Sequence, residues 1–219
     1  MVEMRLTSLV FLSILVFGAT PRTAESQVRA PANPDSVHFR NDCRQAAQTI
    51  RTGAPRDRVS SALAFARLCD GEARQLLIDR WLATATDPQS TDSVWREMAG
   101  LLRGLRDDRA FRAALDVARN GSLSLEARSW GMSVALGQIE PHLFLDPFTL
   151  RAIPPGTICG GAGYSSVSEV IEGTPMPSDA AQQLRDAMAE LVNSAGLDTY
   201  LGRAADCARI AAATAAHHH

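Results

Sequence analysis

The sequence predicts an all-α fold built from stacked antiparallel helical hairpins. Three observations carry that reading. Apolar residues recur at the 3.6-residue period from Phe39 to Ile139 and again from Ala181 to Ala211. The periodic stretches are short, and Gly, Asp, Asn and Pro, the residues that end helices and form turns, separate them. One stretch, Ser129 to Ile139, carries no charge, and a helix apolar on every side must be covered on every side.

The first stripe is Phe39, Cys43, Ala46, Ala47 and Ile50, stopped by Gly53. Val59, Ala62, Leu63 and Ala66 make the second, with Phe65 and Leu68 beside it, stopped by Gly71. The third is Ala73, Leu76, Leu77 and Trp81, broken at Asp87-Pro88, after which Ser90, Thr91 and Asp92 offer N-caps. Val94, Trp95, Met98, Leu101, Leu102 and Leu105 form the fourth. Phe111, Ala114, Leu115 and Ala118 form the fifth, begun by Asp107-Asp108 and ended by Asn120-Gly121. The sixth runs from about Leu123 to Ile139 and belongs at the centre of the fold. Trp81, Trp95 and Trp130 fall within stripes and read as core.

Residues 142–177 break the pattern. They hold five prolines and five glycines, with strand-like pieces at Leu143 to Ile153 and Ser166 to Ile171 that suit a small hairpin. Such a segment either caps the end of the helical stack, with Phe144, Phe148 and Ile153 as plugs, or contacts a ligand or partner. Over 178–213 a C-terminal helical pair follows: Ala181, Leu184, Met188, Leu191 and Val192 share a face, Asp179 and Gln182 are placed as a capping pair, Gly196 is the stop, and the last helix begins at Tyr200. Residues 214–219 read as a disordered tail, with His217 to His219 a tag remnant or loose end.

The N-terminus has a different character. Leu6 to Phe17 is an apolar run of about 12 residues, too short for the roughly 20 that span a bilayer and right for the core of a signal peptide. Residues 1–26 are therefore read as a signal peptide, with translation starting at Met1 or, with a cleaner basic n-region, at Met4. Cleavage after Ala24-Glu25-Ser26 leaves Gln27 as the mature terminus; Val16-Phe17-Gly18 is the rival site. Residues 27–34, with Pro31 and Pro34, form a linker. The chain is thus expected to be exported, periplasmic or extracellular, with no membrane span once the signal is removed.

Export makes disulfides available to the four cysteines, Cys43, Cys69, Cys159 and Cys207. Four cysteines allow three pairings, and four buried free thiols are the alternative. Pairing of sequence neighbours, Cys43 with Cys69 and Cys159 with Cys207, is expected. The first joins two adjacent helices; if they turn around Gly53 to Asp57, the cysteines stand about 6 Å out of level, which requires the helices to tilt. The second would tie the irregular segment to the last helix.

All 22 basic residues are arginine, a usage that reflects a GC-rich bacterial genome more simply than a need for guanidinium forks. Chemistry that depends on lysine is excluded, P-loop and Schiff-base sites included. A net charge of −2 gives no argument for nucleic acid. No catalytic, cofactor-binding or metal-binding residues are assigned. His38 and His142 stand about a hundred residues apart and in no zinc spacing. Gly160-Gly161-Ala162-Gly163 is not followed by Lys-Ser, and no Gly-x-Ser-x-Gly occurs. Asp107-Asp108 and Asp70-Glu72 sit at helix starts, where carboxylates favour the dipole. Arg96, Arg103, Arg106, Arg109 and Arg112, interleaved with acidic residues, read as a solvated ion-paired face; an acidic partner is the sharper alternative.

A weak internal repeat accompanies the hairpins. Val59-Ser-Ser-Ala-Leu-Ala-Phe-Ala-Arg-Leu runs into Cys69-Asp70-Gly71; Trp95-Arg-Glu-Met-Ala-Gly-Leu-Leu-Arg-Gly-Leu runs into Arg106-Asp107-Asp108; Ala127-Arg-Ser-Trp-Gly-Met-Ser-Val-Ala-Leu-Gly-Gln-Ile ends in Glu140-Pro141. The spacing is about 33 to 37 residues, in the range of helical repeats. Over residues 35–141 this resembles HEAT-type helical repeats, although the first unit lacks the Leu-Gly. A compact bundle with coincidental spacing is the alternative. The resemblance implies a short right-handed α-solenoid that offers a surface to partners, usually proteins. Without a catalytic constellation, the chain reads as a non-enzymatic scaffold or adaptor for a protein partner. The other reading is a small-molecule binder or enzyme with its site between the 142–177 segment and the sixth helix, drawing on His142, Tyr164 and a nearby Arg.

Overall fold

The computed structural model describes residues 36–53, 55–147, 151, 162–164 and 170–215. The expected signal peptide, the linker, Cys159, Phe148 and Ile153 lie outside the described residues. The chain is mostly helical. Eight helices occur among the described residues: α1 Val37–Thr52, α2 Arg56–Ala66, α3 Glu72–Thr86, α4 Asp92–Leu102, α5 Asp108–Arg119, α6 Leu125–Ile139, α7 Ala180–Ala195 and α8 Tyr200–Ala215. Four very short strands accompany them: β1 Leu105–Arg106, β2 Leu143–Leu145, β3 Ala162–Tyr164 and β4 Ile171–Glu172.

Local sequence explains where several helices start. The Ser36 hydroxyl accepts from the Phe39 N–H at 3.1 Å, and the Ser124 hydroxyl accepts from the Ala127 N–H at 3.1 Å. Each satisfies one of the amides that a helix start leaves without a partner. At α4, Thr91 occupies the cap position but bonds Ser93 rather than the backbone. At α7, Asp179 makes no cap to the backbone and pairs with Gln183 at 2.9 Å, while Gln182 turns to Asp186. The expected Asp179–Gln182 capping pair is therefore corrected: the amides at i and i+4 compete for these carboxylates. α8 continues through Ala215, past the point where the helix was expected to fade, as a run of the best helix former allows.

Consecutive helices pack as α1 on α2, α3 on α4, α5 on α6 and α7 on α8. Across these pairs α1 meets α3, α3 meets α5, and α5 meets α7, while α4 meets α6 and α6 meets α8. α6 is the central element: every residue from Ser129 to Ile139 is buried, as its charge-free sequence requires. Trp81, Trp95 and Trp130 lie in the core. The α5–α6 crossing is close because Gly131 faces the α5 backbone; a Cβ there would meet Ala114 O and Ala118 N at 2.9 Å.

The strands depart from expectation. Leu105 was assigned to the fourth helix, yet α4 ends at Leu102 because Arg103 turns extended. Leu105 and Arg106 instead pair in parallel with Ile171 and Glu172. β2 pairs antiparallel with β3, so the partner of Leu143–Leu145 is Ala162–Tyr164 rather than 166–171. Two- and three-residue strands carry no readable alternation, so their pairing is set by tertiary neighbours.

Two substitutions test this packing. Leu136→Ala, fully buried in α6, should cost about 2–5 kcal/mol in chemical denaturation. Gly131→Ala should cost about 1–3 kcal/mol by forcing α5 and α6 apart. A cost below about 1 kcal/mol for Leu136→Ala would place α6 nearer the surface than described.

Candidate functional site

The disulfide between Cys43 and Cys69 is in place, with the Cα atoms 5.7 Å apart. It fastens α1 to the segment between α2 and α3. Cys207, buried on α8, is also disulfide-bonded.

An open cleft of about 550 Å3 lies beside the first disulfide. α1 contributes one face of it, Phe39, Arg40, Cys43, Arg44 and Ala47, which are helix neighbours at i, i+4 and i+8 steps. The opposite wall is the chain from Leu68 through Asp70, Gly71 and Glu72 to Ala73 at the start of α3. The floor is apolar and each rim is charged. The acidic rim is answered within the chain: Asp70 pairs with Arg74 at 3.2 Å, and Glu72 pairs with Arg51. Arg44, exposed on the opposite rim, enters no ion pair among the described residues. The cleft thus presents apolar surface beside a cation with unspent charge. Spacing alone did not reveal it, because its two walls come from separate stretches of chain that the disulfide draws together.

A second charged cluster is internal. Arg74 and Asp107 are 1% and 0% exposed, and the Arg74 Nη1 stands 3.4 Å from the Asp107 Oδ2. The carboxylate of Asp107 caps α5 by accepting from the Arg109 and Ala110 N–H groups at 3.0 and 3.4 Å. It also accepts from the Arg109 guanidinium at 3.0 Å and from the Thr174 N–H at 3.1 Å. The backbone N–H of Asp107 donates to Gln138 of α6 at 3.4 Å, and Gln138 donates onward to Leu102 O at 3.0 Å. Arg74 completes its set with Glu172 O at 3.4 Å and Arg67 O at 3.1 Å. Gly173 lies against this pair so closely that a Cβ would fall on the carboxylate and sit 2.6 Å from the Arg74 Nη1. Burial by itself would raise the Asp107 carboxyl, but the bonds from Arg109 and Thr174 outweigh it and hold the group below the usual carboxylate range.

The arginine series is occupied rather than aimed outward as a patch. Arg109 bonds Asp107, Arg112 bonds Asp108 at 2.8 Å, and Arg106 stands 3.7 Å from Glu172. The proposed polar convergence near the sixth helix is only partly there. His142 is exposed, and its N–H donates to Glu140. Arg151 instead reaches Glu126 of α6 at 3.3 Å and lies 5.9 Å from the Tyr200 ring. The Tyr200 hydroxyl donates to Pro147 O at 3.1 Å, and burial pushes its pKa up. A separate small cavity between Arg103, Ser133 and Leu143 is about 10 Å3, room for at most one water. Among the described residues no group of three or more His, Cys, Asp or Glu is placed to hold a metal.

Set against known protein families, curated proteins and solved structures, the chain matches none.

Asp107 yields a prediction with a sign. Its folded pKa is depressed, so its contribution is complete above the unfolded carboxylate range near about 4 and is lost as pH falls through the lower folded value. Asp107→Asn should cost about 3–5 kcal/mol at neutral pH by leaving Arg74 without its buried counter-charge. The variant should also lose less stability than the parent between neutral pH and about pH 2, measured by urea denaturation.

Proposed function

We propose that the chain is an exported, non-enzymatic helical-repeat protein that binds a partner polypeptide, with the cleft beside the Cys43–Cys69 disulfide as the docking place. The cleft carries this reading. Its volume, about 550 Å3, suits side chains of a peptide segment, and its charge selects among segments. The fitting partner presents an apolar side chain to Phe39 and Leu68 and a carboxylate to Arg44. No reacting group is required for such a site.

Contact register supports the repeat reading. Links between successive hairpins join Ser60 to Glu97, Arg67 to Arg103 O, and Gln138 to Leu102 O, at separations of 37, 36 and 36 residues. Arg74 and Asp107 are 33 apart. The internal repeat in the sequence has the same spacing of about 33 to 37 residues, and the alternation of packed helices agrees with two stacked layers. A HEAT-type solenoid is the architecture these features favour. Export is supported by the signal-like run at Leu6 to Phe17 and by the disulfide bonding. Among the described residues no helix is long and apolar enough to cross a membrane. The pairing of Cys159 with Cys207 belongs to the same reading; Cys207 is disulfide-bonded.

A small-molecule site between the 142–177 segment and α6 is the second reading. Arg151, Glu126 and Tyr200 favour it.

Selection of a displayed random peptide library on the mature protein tests the docking site. Enriched peptides should pair an acidic residue with a bulky apolar one. Their affinity should fall about tenfold on Arg44→Glu, with the circular dichroism spectrum unchanged. No enrichment, or peptides indifferent to Arg44→Glu, would remove the cleft as the docking place.

A further inference from the structure

The same cleft contains an unequal pair of sulfurs. Cys43 lines the cleft and is half-buried, whereas Cys69 is 0% exposed and does not line it. Cys43 thus borders the cleft, while Cys69 is sealed in the core. Cys43 also stands on α1 between Arg40, three residues before it, and Arg44, the next residue after it, and both line the cleft. Cationic neighbours favour thiolates, both an approaching one and one formed at Cys43. Cys69 lies two residues before Gly71, the N-cap of α3, at the positive end of that helix, where charge on a departing sulfur is favoured. Asp70 and Glu72 oppose this least where they are already paired, with Arg74 and Arg51.

We infer that the Cys43–Cys69 disulfide is a site of thiol–disulfide exchange, with Cys43 as the sulfur attacked and an anionic thiol as the reacting class. The thiolate of the incoming molecule attacks the Cys43 Sγ. A new sulfur–sulfur bond forms there, the Cys43–Cys69 bond breaks, and its electron pair leaves on the Cys69 Sγ; the proton shed by the incoming thiol is the one this sulfur takes up, by way of the Cys43 side of the cleft. The product is a mixed disulfide on Cys43 and a buried thiol at Cys69. Where the incoming molecule carries a second thiol, that thiolate attacks the incoming sulfur and displaces Cys43 as a thiolate. The balance is then a two-electron oxidation of the incoming dithiol to a disulfide and a two-electron reduction of Cys43–Cys69 to two thiols.

The exchange is independent of whether a polypeptide docks, so its test uses small thiols. The oxidised mature protein is incubated, folded, with glutathione or with cysteamine at matched thiolate concentration, quenched by acid alkylation and mapped by non-reducing mass spectrometry. The adduct should sit on Cys43, form at a rate proportional to thiol concentration, and form faster with anionic glutathione than with cationic cysteamine. Arg44→Glu should slow the glutathione reaction about fivefold and reverse the preference. Arg44→Gln, which keeps the length of the side chain without its charge, should fall between. An adduct on Cys69, no adduct, a rate independent of thiol concentration, or a rate indifferent to the charge of the thiol or of residue 44 would each overturn the proposal.

Discussion

A carboxylate without water organises this molecule. Asp107 is wholly enclosed, so each lone pair facing the interior has to meet a donor from the chain itself. The donors come from elements that sequence separates widely: Arg74 on α3, the first amides of α5, and Thr174 in the strap that follows β4. Meeting the requirements of one group therefore fixes the positions of three elements. Gln138 extends the constraint to α6 by bonding the backbone on both sides of the turn that leads into Asp107. Such a buried pair adds little net stability over an apolar replacement, but losing one member is costly. Its role is to fix the register in which the helices meet.

Around that point the packing is governed by small residues. Gly131 lets α5 and α6 approach at backbone distance, and α8 brings Ala204, Ala205, Ala208 and Ala212, all fully buried, against its neighbours. Close helix contact yields dispersion energy without long side chains to order. The large side chains Trp81, Trp130 and Phe111 are wholly buried in the same core. Contacts between helix pairs recur at a spacing near 36 residues.

What the sequence revealed depended on periodicity. The eight helices among the described residues announce themselves, seven by an apolar stripe and α6 by its charge-free run, which marks the centre directly. The Cys43–Cys69 bond was legible because two stripes joined by a short turn bring those positions together. What escaped lies where two residues carry the structure. Leu105 continues a helical stripe in sequence, yet it pairs with Ile171, a choice made by a segment some 66 positions away. Asp107 was legible as a helix start and illegible as a buried anion, because a carboxylate at an N-cap looks the same in sequence whether or not an arginine closes over it. Arg44 raised no signal for a like reason: in sequence nothing shows that the acidic residues across the cleft pair with other arginines.

The strap that crosses Asp107 has a consequence for the order in which the chain can be assembled. Thr174 bonds a residue 67 positions earlier, and Glu172 bonds one 98 positions earlier. Helices α1 to α6 are complete, and their local contacts available, well before these links can close. Local helical contacts form quickly and long closures slowly, so the links of the strap close after the helices that precede it have formed. During synthesis, the Arg74–Asp107 pair would spend that interval open on one side and hydrated. Arrival of 171–174 would then expel the water and convert a surface ion pair into the interior one. A chain cut before residue 170 would keep most of its helices and lack its lock.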